Sequence, residues 1–282
     1  GSRGSARSEA PMLPSHPMPP ADLTRELIAT LPDEPRWIDV RGMMMTGHAQ
    51  VTGGTDPETC ALDNCGFVVK VLAGAVSTIG VVGQPPRRAL LDAVRGVTDL
   101  TPIVVQTADA DWVERCLALV AVTDAPRWRG ERTLAHRLRT DTGWVSGDIR
   151  ADVRLLSASD SLAHLPPGLT HELTHAKTFA PVAALFEAGT PVSFCYPVWR
   201  TEALWDVSID TLDGYRGRGL ALHVVRYMID HLRGEGREPV WCALESNAAS
   251  RRLAAKLGFD PVAEFVVFSR GTWAILSAGF TG

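Results

Sequence analysis

Between Leu212 and Ala221 the chain reads Leu-Asp-Gly-Tyr-Arg-Gly-Arg-Gly-Leu-Ala, a glycine-rich turn whose residue types suit an anion. Gly217 and Gly219 carry no Cβ, so their backbone can approach a ligand closely. A helix starting here would expose its first amide N–H groups, and with the helix dipole these favour a pyrophosphate. A dinucleotide turn of the G-x-G-x-x-G kind needs a third small residue where Leu222 stands, and a Walker loop needs Gly-Lys-Ser/Thr; neither is present. A tight turn that holds no ligand is the plain alternative. A second pattern, His171-Glu172-Leu173-Thr174-His175, would set two imidazoles on one helix face for zinc. No third ligand follows at a suitable spacing, so we expect no metal here and keep a zinc hydrolase only as a competing class. Among the acids before the turn, Asp206, Glu202 and Asp210 are the candidates for a general base, because an acid held in a low-polarity strand can have its pKa raised toward that task.

The elements around the turn follow from hydrophobic spacing. Ala203 to Thr211 alternates apolar and polar residues from Trp205 onward, as a half-buried strand does. Ala221, Val224, Val225, Met228 and Leu232 share one face of a helix that stops at Gly234 or Gly236. Pro239 to Leu244 reads as a strand, Asn247 precedes a short helix closing in Lys256-Leu257-Gly258-Phe259, and Val262 to Phe268 is a further strand. Val182–Phe186 and Val192–Trp199 form a hairpin about Glu187-Ala188-Gly189-Thr190.

Arg216-x-x-Gly219-x-Ala221 resembles the acetyl-CoA signature of the GNAT superfamily of N-acetyltransferases, and the Asn247 and Leu257-Gly258-Phe259 elements resemble its second hallmark. The resemblance covers about residues 150 to 270. It implies acetyl-CoA as co-substrate, with the pyrophosphate on Arg216, Gly217, Arg218, Gly219, Leu220 and Ala221, the pantetheine arm along Ile209, Asp210 and Thr211, and Asn247 nearby. It further implies acetyl transfer to an amine, with a backbone amide polarising the thioester carbonyl, and it makes Asp206 the first choice of base, on the strand where related sequences often carry an acid, with Glu202 and Asp210 in reserve. Relatives that read Leu-Tyr-x-Lys-Leu-Gly-Phe use their tyrosine to protonate the leaving thiolate; here Ala254 occupies that position. Ser250, Tyr196, Tyr215 or a water held by Asn247 could replace it, and a non-catalytic acyl-CoA-binding module is the alternative that the loss raises.

The rest of the chain echoes this order. Phe67–Leu72 and Val76–Val82 read as strands separated by Ala73-Gly74-Ala75, Arg87–Val97 as a helix, Ile103–Gln106 as a strand, Asp109–Leu119 as a helix and Val120–Thr123 as a strand. The turn of this copy is Gly83-Gln84-Pro85-Pro86, and prolines have no N–H to offer a phosphate. The expected fold is therefore α/β of the α+β kind, with two GNAT-like halves, each a mixed, mostly antiparallel sheet flanked by helices; an unrelated N-terminal α/β domain is the alternative. Expected limits are a flexible segment at 1–20, a degenerate half at 21–140 and the CoA-binding half at 141–282. Arg36 to Met45 reads as a strand whose methionines pack in the core, Gly47 to Cys65 as a long loop, and Trp128 to Asp141 as a basic connector.

With 282 residues, 45% of them hydrophobic, a substantial core is assured, and a net charge of −4 gives no global field for nucleic acid. The five cysteines show no CxxC pair, no apolar run is long enough to span a membrane, and the N-terminus lacks the apolar centre of a signal peptide. These features predict a cytoplasmic protein without nucleic-acid or membrane partners, with a homodimer as one possibility; the resemblance implies an amine acceptor, expected to be a small molecule because the degenerate half could wall its cleft.

Overall fold

A computed structural model of the chain describes residues 21–54, 66–73, 76–98, 100–120, 127–141, 150 and 152–270. The residues 1–20, 55–65, 74–75 and 121–126 lie outside the described residues, as do the expectations made for them.

The described strands form one sheet. They are β1 (Ala49–Gly54), β2 (Gly66–Ala73), β3 (Val76–Gly83), β4 (Ile103–Gln106), β5 (Arg129–Leu138), β6 (Val153–Leu155), β7 (Ala183–Glu187), β8 (Thr190–Arg200), β9 (Leu204–Thr211), β10 (Glu238–Leu244) and β11 (Phe259–Ser269). The helices are α1 (Ala21–Thr30), α2 (Ile38–Met45), α3 (Arg87–Val94), α4 (Ala110–Leu117), α5 (Pro167–Ala176), α6 (Leu220–Arg233) and α7 (Ala248–Lys256). Sheet order is β1-β2-β3-β4-β11-β5-β10-β9-β8-β7-β6. Two neighbouring pairs are parallel, β3 with β4 and β9 with β10, and the rest are antiparallel.

The order is that of two repeats. β1-β2-β3-α3-β4-α4-β5 in the first half matches β7-β8-β9-α6-β10-α7-β11 in the second. The halves meet at the antiparallel β5–β11 pair and exchange strands across it: β11 lies beside β4, and β5 lies beside β10. What reads as a basic connector, Trp128 to Asp141, is thus a central strand. Its charges are answered across the ladder, where Arg132 pairs with Glu245 and with Glu264 (3.0 Å).

Arg36 to Met45 is the other correction. Pro35–Trp37 makes a 3-10 turn and Ile38–Met45 a helix. Ile38, Val40, Met43 and Met44 are buried, and the helix crosses from β2 and β3 onto β8 and β9 of the other half. Gly42 permits that crossing, since a Cβ there would come within 2.6 Å of the Trp199 Cβ. Part of the expected 47–65 loop is the edge strand β1.

α6 packs its Val224, Val225, Met228, Ile229 and Leu232 against Trp205, Val207 and Ile209 of β9 and against Trp241 and Ala243 of β10. All five helix residues are fully buried, which at about 1.5–3 kcal/mol each makes this face the anchor of the second half. The alternate residues of β9, Asp206, Ser208 and Asp210, therefore face the other side of the sheet, under α2 and α5.

Candidate active site

β9 and β10 are joined only at Leu204–Asp206 and Glu238–Val240. Past that point the strands part. Val207–Thr211 is laddered to β8 alone and Trp241–Leu244 to β5 alone, leaving a wedge with its vertex at Asp206 and Val240. Backbone donors and acceptors that face the wedge are ones a ligand with amide groups can use.

The glycine turn stands at the open end of this wedge. After a 3-10 turn at Asp213–Tyr215, Gly217 and Gly219 both take left-handed φ values, 73° and 77°. Gly219 is the N-cap of α6, so the first amides of the helix face outward beside it. A Cβ added at either glycine would meet no atom within 4 Å. Arg216 turns inward, its Nε donating to Thr211 O (3.0 Å) and its guanidinium pairing with Asp213 (3.0 Å), while Arg218 pairs with Glu187 (2.8 Å). The two arginines thus brace the turn. Leu220 is buried, whereas Ala221 is partly buried on the same helix start.

Asn247 caps α7, its Oδ1 accepting from Ser250 N (3.0 Å). Ser250 Oγ accepts from Trp241 Nε1 (2.9 Å), which ties α7 to β10 on the α6 side of the sheet. Ser250 and Asp206 therefore sit on opposite faces, and Ser250 is one helical turn before the buried Ala254. Glu202 lies outside the wedge. It precedes β9 at the closed end and is held by Arg41 (2.8 Å), with its side chain 54% exposed. The structure does not bring it to the turn.

Asp206 is 7% exposed and stands at the vertex. Burial first, then the charge of Asp39, push its carboxyl well above the usual range, against the pull of the Cys242 thiol and the Cys242 and Val207 backbone N–H groups beside it. Asp39, in the first turn of α2, is pushed up to about 6 by burial, with the Trp199 indole N–H working the other way. Sequence reasoning missed Asp39, because no local motif marks a residue brought in from the other half. Four residues along β9, Asp210 Oδ2 accepts from the Tyr196 hydroxyl (2.9 Å). Burial and then Glu172 of α5 raise the Asp210 carboxyl, and burial raises Glu172 itself. Ile209 and Thr211 put their side chains in the core, so any contact of this strand with a pantetheine arm is through its backbone.

The His-Glu-x-x-His segment does form a helix, α5, but Glu172 points to the sheet, His175 packs on Phe179 (ring centroids 5.3 Å) and His171 is exposed. Among the described residues no three His, Cys, Asp or Glu side chains converge as metal ligands.

In the first half the parallel pair does not open. β3 and β4 stay joined from Ile79–Ile103 to Val81–Val105, one residue short of the end of β4. Pro86 stands at the N-cap of α3.

Residues 181–268 match the family model described as GNAT acetyltransferase. An uncharacterized N-acetyltransferase, YdfB of Bacillus subtilis, is 34% identical over 88 residues, which are 31% of this chain and 34% of that protein. The chain thus spans about a third of that curated relative. Among solved structures, a GCN5-related N-acetyltransferase-like protein from Streptococcus suis is similar with a TM-score of 0.60 at 18% identity, covering 88% of this chain and 98% of that one. A putative GNAT-family acetyltransferase from Novosphingobium aromaticivorans gives 0.50 at 19% identity, over 76% and 94% of the two chains. At such identities the likeness is one of fold, and it runs through both halves. No helix among the described residues is long and apolar enough to cross a membrane.

Proposed function

We propose that this protein, whose residues 181–268 match the GNAT acetyltransferase family model, transfers the acetyl group of acetyl-CoA to a primary amine of a small molecule. One observation carries the reading: a wedge between parallel strands β9 and β10 that leads from two left-handed glycines at a helix start to a buried carboxyl at its vertex. The turn takes the pyrophosphate through the amides from Gly217 to Ala221. The exposed backbone edges of β9 and β10 take the pantetheine amides and orient the thioester. A free backbone N–H of β9 polarises the carbonyl. Asp206, at the vertex, is the group that relieves the attacking nitrogen of a proton. Glu172, Tyr196 and Asp210 line the same face and favour a cationic acceptor.

The buried Ala254 favours a second reading, acyl-CoA binding without turnover, because the α7 position that carries a tyrosine acid in relatives cannot donate here. Single-turnover mixing with acetyl-CoA and a panel of small amines, following free thiol, separates the two readings. Thiol release with any amine of the panel supports transfer; tight CoA binding with no release beyond the amine-free rate refutes it and leaves the binding module.

A further inference from the structure

We propose that Asp39 and Asp206, one from each half, share a single proton at the vertex of the wedge, with Asp206 exchanging protons with the reactants and Asp39 acting through it as a positioning residue. The inference rests on the acetyl-transfer reading. It would supply from a carboxyl pair the acid function that Ala254 cannot.

The geometry is specific. β9 alternates, so Asp206 points away from Trp205 and Val207 and toward α2. α2 is pressed onto the root of Trp199 at Gly42, which fixes Asp39 one turn earlier over β8 and β9. Asp206 Oδ1 and Asp39 Oδ2 are both buried and accept from no described group. A buried acceptor without a donor is costly, and a single proton shared by the two carboxyls relieves both.

Among the described residues, the cations of the elements around the pair are engaged elsewhere. Arg41, on the same helix, is spent on Glu202 and on the carbonyls of Ile28 and Leu31. Arg200 of β8 donates to Phe179 O, Lys70 of β2 to Ala93 O, and His136 of β5 faces Trp241 O through Nδ1. Asp33 accepts from Thr201 and Ala203, and Asp210 is taken by Tyr196. Cys242 of β10 also faces the pair, and burial, then Asp206 and Asp39, keep it a thiol. Two carboxylates buried against each other repel, which disfavours ionising both, so the pair holds one proton through neutral pH.

The proton count closes. The acceptor's ammonium nitrogen gives up two protons as the C–N bond forms and the C–S bond breaks, its electron pair leaving on sulfur. One nitrogen proton goes to solvent. The other enters the pair as the pair's own proton passes to sulfur, and the pair ends with the single proton it began with.

The test uses the full chain, with Asp39→Asn and Asp206→Asn, and Glu202→Gln as a control away from the wedge. Infrared spectra of protein carrying carboxyl-labelled aspartate should show a protonated carboxyl at neutral pH. That band should vanish in Asp206→Asn, and its midpoint should fall by about one pH unit or more in Asp39→Asn, where the repulsion is gone. The acid limb of kcat in Asp39→Asn should move by the same amount with KM for acetyl-CoA unchanged, and Asp206→Asn should lose on the order of 10²–10⁴ in kcat. If Asp39→Asn does not fold, Trp199→Phe removes the N–H that favours ionised Asp39 and should raise the midpoint. Turnover with wild-type midpoints in Asp39→Asn, or in Trp199→Phe where that is the variant available, overturns the shared proton. A carboxyl band with no acetylation of any amine overturns the transfer reading instead.

Discussion

Gly219 separates cofactor binding from mere turn geometry. Its φ of 77° is left-handed, and a non-glycine residue there costs about 1–2 kcal/mol. A Cβ would meet no protein atom within 4 Å, so backbone conformation is the whole cost to the unliganded fold. That cost is paid in the free and the bound protein alike and cancels from the binding equilibrium. Any loss of CoA affinity in Gly219→Ala therefore reports what the Cβ meets in the complex. If the pyrophosphate lies against this backbone, Ala should lower affinity by on the order of 10-fold and Val by on the order of 10² or more, because each methyl displaces a phosphate oxygen from an amide donor. Both variants should melt only a few degrees lower, about what 1–2 kcal/mol moves a domain of this size. Calorimetry with CoA checks the first and thermal unfolding without it the second. Unchanged affinity alongside the expected loss of stability would refute the assignment of the turn to the pyrophosphate.

Titration with CoA should give one site per chain, because β3 and β4 stay joined and Pro86 stands where a donor is needed; two sites by calorimetry would contradict the degeneracy of the first half. Gly42→Ala gains about 1 kcal/mol of helix propensity but drives a Cβ to within 2.6 Å of the Trp199 Cβ, so it should destabilise by up to about 2 kcal/mol net and disturb the acid limb of kcat; a variant more stable than wild type with an unchanged profile would show that α2 is not pinned there. Asp39, raised to about 6, binds its proton more tightly folded than unfolded, so its stabilising contribution is full below about pH 4 and is lost as pH rises through about 6. Asp39→Asn should remove that loss, its melting temperature gaining on wild type between about pH 4 and about pH 7, and a constant gap between the two would refute it.

The turn and the elements on either side of it were legible because their signals are local. Gly217, Gly219, the α6 face and the Asn247 cap each depend on residues within a few positions, and the structure places them as the spacing predicts. Arg36 to Met45 misled for a physical reason. Ile38-Asp39-Val40-Arg41 alternates as a strand does, and a short apolar run cannot be told from a buried helix by period alone. What decides is Pro35 at the start of the turn and the approach of Trp199, more than 150 positions away, and contact at that separation leaves no trace in a sequence window. β5 misled differently. Its arginines read as a solvated connector, yet Glu245 and Glu264 come from the partner strands to meet Arg132, so the charge run belongs to the sheet. Asp39 was hidden by both effects, a misread element and a neighbour from the other half.

The exchange of strands also explains how the wedge can stand open. A pair of strands that parts in mid-sheet gives up a row of backbone hydrogen bonds, and each strand then needs its other edge held. β9 has β8, whose ladder runs from Ser193–Thr211 to Pro197–Val207 across the parted segment. β10 has β5, paired from Thr133–Leu244 to Arg137–Val240 over the same stretch. β5 belongs to the half that has no open pair and proline at its turn, so that half holds the far wall of the wedge with a strand and its floor with α2. An anion cradle in the first half would therefore add no support to the second, whereas losing β5 would leave the parted stretch of β10 unpaired on both edges. The division of labour follows from topology: one half keeps the turn and the wedge, and the other keeps the wedge from closing.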